Sequence, residues 1–138
     1  MTAADRARMK SAYFAPFNAP VPDGSHLLKT WDYLRGMGVG ADLALYQREA
    51  LDHVRAWRGR NQIYGAVWDQ EEEELLARVR VPLLAMCARD DVLWEYFGNV
   101  KALRPDIQCE EVLGSNFSLD HDAEGIIRLW TPFMEKAV

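Results

Sequence analysis

The sequence predicts an α/β protein in which a mainly helical first part precedes a strand–helix–strand–helix unit. Val81 to Ala88 is an unbroken apolar run between Arg80 and Arg89. Such a run suits a strand buried on both faces, as in a parallel sheet covered by helices. Ile107 to Leu113 is a second strand candidate. Between them, Trp94 to Leu103 sets Tyr96, Phe97, Val100 and Leu103 at helical spacing, ending before Pro105. Asp122 to Ala137 closes as an amphipathic helix carrying Ile126, Ile127, Trp130 and Phe133. A βαβα unit in this order is expected to be parallel and right-handed.

Taken in order, Ala4 to Phe14 has helical character, with Met9 and Tyr13 four residues apart. The stretch from Ala15 to Gly24 holds three prolines and reads as a connection, because proline fixes φ and lacks a donor. Ser25 is a suitable N-cap for a helix through Trp31 and Leu34 to about Arg35. Gly36, Gly38 and Gly40 follow. With no strand before them and no Lys-Ser/Thr after, they read as a joint between helices and not as a phosphate loop. Asp42 is expected to cap the longest helix, running to about Arg58 with Leu43, Tyr46, Ala50, Val54 and Trp57 at helical spacing. His53 sits on the edge of that stripe, where a packing or capping role is expected. Asn61 to Trp68 reads as a further short helix. The acidic run Asp69 to Glu74 suits the positive end of a helix dipole before Leu75, Leu76 and Val79.

Composition narrows the function. A chain of 138 residues can bury a real core, and 49% hydrophobic with 27% charged residues describes a globular, soluble protein. The net charge of −5 argues against nucleic acid and anionic membranes as partners. No apolar run approaches the roughly 20 residues that span a bilayer, and the charged N-terminus has no apolar core after it, so a cytoplasmic location is expected. Cys87 and Cys109 each fall in a predicted strand and are expected to be reduced and buried. No CxxC pair or His/Cys cluster of zinc spacing occurs, so neither a metal nor a cofactor is expected.

Asp90 and Asp91 end the apolar run, where an open α/β sheet presents its chemistry. Here the chain resembles a known family. Val81-Pro-Leu-Leu84 followed by Asp91 is similar to the late strand of α/β-hydrolase-fold proteins that carries the acid of the Ser/His/Asp triad. Asp23-Gly-Ser-His-Leu27, Gln47 to His53 and Tyr64-Gly-Ala-Val67 resemble the helical lid before that strand. Gly114-Ser-Asn-Phe117, Asp122-Ala-Glu-Gly-Ile126 and Phe133 resemble the histidine loop and last helix. The resemblance covers nearly the whole chain but only the C-terminal half of the fold. It implies a lid over residues 1–78 and a βαβα half-core over residues 79–138.

The resemblance assigns Asp91 as the acid and puts Asn116 where the family's catalytic histidine usually stands. Asparagine is no general base near neutral pH, and His121, five residues on, is the substitute in reach. Trp31, Tyr46, Trp57, Tyr64 and Trp68, with Phe14 and Phe17, give the lid an aromatic bias that would favour an apolar small molecule. The nucleophile half is missing. There is no Gly-x-Ser-x-Gly, and neither Gly24-Ser25 nor Gly114-Ser115 has the second glycine or a predicted strand-then-helix setting. The expectation is therefore one half of a split α/β-hydrolase-like protein, inactive alone. Its sheet would be completed by a second polypeptide carrying the nucleophile, or by a second copy. The alternatives are a degenerate, non-catalytic module that binds a ligand or stabilises a partner, and a non-hydrolytic, lyase- or cyclase-like member.

Overall fold

The computed structural model describes residues 3–13 and 18–137. The Met9–Tyr13 pairing and the aromatics Phe14 and Phe17 lie outside the described residues and side chains. Helices α1 (Ala3–Tyr13), α2 (Ser25–Gly36), α3 (Leu43–Arg55), α4 (Trp57–Asp69) and α5 (Glu72–Arg78) come first. They are followed by β1 (Leu84–Ala88), α6 (Trp94–Leu103), β2 (Gln108–Val112), a 3-10 turn (Ser115–Phe117), α7 (Ser118–His121) and α8 (Ala123–Ala137). The described chain is thus mostly helical with one small parallel sheet, a mixed α/β class. It divides into two compact units, one containing α1 to α4, the other residues 37–39 with everything from Glu73 onward.

In the first unit, capping sets the helix starts. The Asp42 carboxylate accepts the Ala44 and Leu45 N–H groups at 2.8 and 3.2 Å, meeting two donors that the first turn of α3 cannot bond internally. Asp23 does similar work for α2. Its carboxylate accepts the Ser25 N–H at 3.0 Å, so the aspartate and not Ser25 meets the first free donor. The long helix expected to reach Arg58 stops at Arg55. Ala56 turns to ψ 6° while donating to Asp52 O, and α4 starts at the next residue. No glycine or proline marks that break in the sequence.

The α2–α3 contact holds this unit's core. The Trp31 and Tyr46 rings lie 3.9 Å apart, Tyr46 is buried, and its hydroxyl donates to Trp31 O at 2.5 Å. Leu34, Leu45 and Thr30 are buried beside them, with Thr30 Oγ1 accepting from Asn18 Nδ2 and donating to His26 O. Ion pairs join α1 to the last residue of α4 and the turn after it, Lys10 to Asp69 at 2.7 Å and Arg6 to Glu71 at 3.0 Å. His53 is a packing histidine: Nδ1 lies 2.9 Å from Glu49 O, one turn back, and donates to it.

In the second unit, β1 and β2 pair in parallel with Leu84 opposite Gln108 and Ala88 opposite Val112. The strand expected over Val81 to Ala88 is shorter and less buried than the apolar run suggests. Only Ala88 in β1 is fully buried, the other four residues being half-buried. Two strands and the helices beside them cannot cover both faces of an apolar ribbon. Val39, Ala88, Ile107 and Val112 form the buried centre, while Val81, Leu113, Leu119, Ile127 and Trp130 are all more than half exposed. Cys87 and Cys109 are free and half-buried, contrary to the expected full burial, and sit diagonally across the ladder. Burial pushes the Cys87 thiol up, and the Asp91 carboxylate adds to it.

Arg104, after α6, ties the unit's elements together. Its Nη1 donates to Leu76 O and Val79 O at 3.1 and 2.7 Å, joining the Val79 N–H on the first of these carbonyls and fixing the turn that leaves α5. The remaining face of the guanidinium forks onto Asp106 at 2.8 and 2.6 Å. That hydrogen-bonded arginine holds the Asp106 carboxyl down at about 2.

Two outcomes follow from these contacts. Asp42→Ala removes the α3 cap and is expected to cost about 1 kcal/mol, read as a lower urea midpoint. Because Asp106 has its folded pKa depressed, its contribution is present above the ordinary aspartate range and fades as pH falls from about 4 towards 2. Melting curves of the native chain and Asp106→Asn should accordingly differ at pH 5 and converge by pH 2.

Candidate functional site

Parallel pairing puts the C-terminal ends of β1 and β2 at one edge of the sheet, so the loops after both strands meet. Asp90 and Asp91 leave β1, and Gly114 and Ser115 leave β2. Both residues of the second pair have positive φ, 95° for Gly114 and 54° for Ser115. For a non-glycine residue that conformation is costly and needs support from its surroundings. Support comes from three sides. Ser115 N–H donates to Asp90 Oδ1 at 3.2 Å, and Oγ lies 3.0 Å from both Asp90 O and Met37 O. Ser115 O accepts the Ser118 hydroxyl at 2.9 Å. The serine is 6% exposed.

Gly38 explains itself in the same cluster. At φ 82° it lies against Ser115, and a Cβ there would run into the Ser115 side chain. Of the three glycines in this joint, Gly38 is therefore a close-approach position, whereas Gly36 has open space around it. Gly114 is equally confined, since a Cβ would come within 2.5 Å of His121 Cβ.

Ser115 also corrects an expectation. Gly114-Ser115 does stand on a strand-to-helix turn, running from β2 into the 3-10 turn. Its hydroxyl nevertheless cannot serve as a nucleophile as it stands. The single hydroxyl proton is directed at backbone carbonyls, and no imidazole or carboxylate hydrogen-bonds to Oγ among the described residues.

The three expected catalytic residues all fall in this unit, at separate tasks. Asp91 Oδ1 accepts the Leu93 N–H at 2.7 Å, and Asp91 O accepts the Trp94 N–H at 3.0 Å, so the residue builds the turn into α6. Asn116 is half-buried, and its Oδ1 is buried without a donor among the described residues. His121 Nε2 lies 3.2 Å from Val39 O and therefore carries the ring proton towards that carbonyl. No hydrogen bond joins Asp91, Asn116 and His121 to one another among the described residues. Asp122 starts α8: its carboxylate accepts the Leu113 N–H at 3.0 Å, and a Cβ on Gly125 would collide with it.

Sequence reasoning noted Asp90 and Ser115 but missed that they join the two strand ends. Nearby, Arg89 forks across the ladder onto Glu111 at 2.9 and 2.6 Å and lies 5.0 Å from the Trp94 ring centre. The arginine holds the Glu111 carboxyl below the usual range. The edge is rich in matched hydrogen bonds and, among the described residues, holds no paired nucleophile and base.

The expected substrate-binding aromatics belong to the first unit. Trp31 and Tyr46 are stacked together as packing residues. Trp57 lies under the Arg58 guanidinium at 5.0 Å, and Tyr64, partly exposed, under that of Arg60 at 4.9 Å. Trp68 is half-buried, with an indole Nε1–H that meets no acceptor among the described residues. Ring stacking joins Trp31 to Tyr46 but does not link Trp57, Tyr64 and Trp68 among the described residues.

Among the described residues no group of three His, Cys, Asp or Glu side chains is placed to hold a metal ion, and no helix is long and apolar enough to cross a membrane. Comparison with protein-family models, curated proteins and solved structures found no match.

The confinement at Gly38 gives a sharp test by contrast. Gly38→Ala is expected to cost at least about 1–2 kcal/mol, since it adds left-handed strain to a collision with Ser115. Gly59→Ala, in α4 with open space around it, is expected to gain up to about 1 kcal/mol. Urea denaturation of both variants checks the opposite signs.

Proposed function

We propose that this chain is the C-terminal half of a split α/β-hydrolase-like protein, supplying lid helices and the acid strand to a pocket that a second polypeptide completes. One observation carries this reading. Among the described residues the apolar strand β1 has a neighbour on one side only and is left half-buried, as an interior strand would be with part of its sheet missing. The joined strand ends, with Asp90, Asp91 and Asn116 at one edge, are where a sheet of this kind presents catalytic groups. Asp91 is the acid in this proposal. The nucleophile comes from the other polypeptide, and the substrate is an apolar ester-like small molecule.

A second reading, a binding module without catalysis, is favoured by a specific feature. The Asp91 carboxylate is already engaged by Leu93 N–H, and His121 by Val39 O.

Co-expression with the first half of an α/β-hydrolase, ending after its nucleophile elbow, tests the proposal. The co-purified complex is expected to hydrolyse p-nitrophenyl esters that neither part hydrolyses alone. Asp91→Ala should then lower kcat by about 10⁴-fold, the scale on which an orienting carboxylate matters in such a triad. Turnover indifferent to Asp91→Ala would remove its role as acid. A complex that forms but never turns over supports the binding module.

A further inference from the structure

Cys87 and Cys109 are the two cysteines of the chain, and the ladder brings them onto one face of the sheet. Ala85 lies opposite Cys109, and Cys87 lies opposite Glu111. Side chains return to the same face at every second residue, so Ala85, Cys87, Cys109 and Glu111 share a face on which the two thiols are diagonal neighbours. Both are free and half-buried. A strand spacing of about 4.8 Å and a rise of about 3.3 Å per residue put their Cα atoms about 8 Å apart. A disulfide joins Cα atoms up to about 7 Å apart, so that bond is out of reach without movement of the backbone.

An ion between two sulfurs reaches farther than a bond between them. With a metal–sulfur distance of about 2.3 Å on each side, the sulfurs stand about 4.6 Å apart, against about 2 Å in a disulfide, and the difference covers the excess. The donor set then selects the ion. Met86 alternates to the opposite face, and the Glu111 carboxylate is forked by Arg89 at 2.9 and 2.6 Å. Among the described residues no group of three His, Cys, Asp or Glu side chains could share a metal. Two thiols without a third ligand leave a tetrahedral zinc ion half-coordinated, but they suit a soft monovalent cation that two sulfurs satisfy. We infer that Cys87 and Cys109 together form a two-thiolate site for one soft monovalent ion of the copper(I) class.

Little in the resting structure opposes this. The Cys87 thiol donates to Ala88 O at 3.5 Å, a weak sulfur hydrogen bond that disappears with the proton when the ion arrives. Rotation about χ1 then turns Sγ towards Cys109. Each thiol gives up its proton, so binding one monovalent ion releases two protons and leaves the site with one net negative charge. The inference is independent of the split-half reading, because both cysteines lie on strands that this chain supplies itself.

Titration of the reduced, metal-free full chain with silver(I), a stand-in for copper(I) that needs no exclusion of air, tests the site. The thiols left over are counted with dithiobis(nitrobenzoate). One equivalent of silver(I) is expected to remove both thiols together. A chain that needs two equivalents holds one ion per thiol and overturns the inference. Zinc(II) at the same concentration is expected to leave both thiols reactive, and protection by zinc would overturn the two-sulfur site by showing further ligands. Copper(I) affinity, read without oxygen against the coloured chelator bicinchoninate, should fall by more than about 100-fold in Cys87→Ser and in Cys109→Ser alike. Loss of a ligand costs more than loss of an outer-shell partner, itself worth about 10–100-fold. Native affinity in either single variant would refute a shared ion. The silver(I) count needs no variant, so it decides the matter even where a serine disturbs the ladder.

Discussion

Backbone hydrogen bonding along β1 is the constraint on which the second unit depends. An interior parallel strand hands its N–H and C=O groups to neighbours on both sides, and among the described residues β1 has β2 on one side alone. The rest follows from that imbalance. The strand keeps an interior strand's apolar composition without an interior strand's burial, and several large apolar residues of this unit stay in water. Polar ties help to hold the unit's shape: Arg104 on the carbonyls of Leu76 and Val79, Asp122 on Leu113, and Ser115 on Asp90 and Met37.

Those ties concentrate at the strand ends because that is where the chain must turn sharply. The left-handed Ser115 is tolerable because its N–H and Oγ each meet a partner in the loop that leaves β1. The geometry resembles a strained catalytic turn, yet the hydroxyl is consumed in holding two loops and a passing tripeptide. Whatever chemistry the assembled protein performs at this edge, Ser115 is there as a clasp.

Much of the architecture was legible in the residues. The order of strands and helices from β1 to α8 follows from apolar runs and helical spacing, and Asp42 announced its cap. Other features left no periodic trace. The 3-10 turn that starts at Ser115 and the four-residue α7 after it are both too short for spacing to reveal, so the strand-to-helix setting went unseen. The break at Ala56 arises from a change in ψ at a residue with no conformational signature. Which of Asp90 and Asp91 reaches across to β2 is a matter of side-chain direction, and adjacent identical residues cannot declare it. Nor could the aromatic bias of the lid distinguish Tyr46, stacked against Trp31, from residues open to a ligand.

The tripeptide Met37–Val39 has a consequence for how the two units divide. It lies between α2 and α3 in the sequence, yet Val39 is wholly buried in the second unit, with Met37 O accepting the Ser115 hydroxyl and its own carbonyl accepting from His121. The chain thus visits the second unit twice, and no single scission separates the two. A fragment starting at Glu73 would lack its own innermost plug, so insertions or fusions tolerated in an ordinary interhelical loop would, at Gly38, dislodge a core.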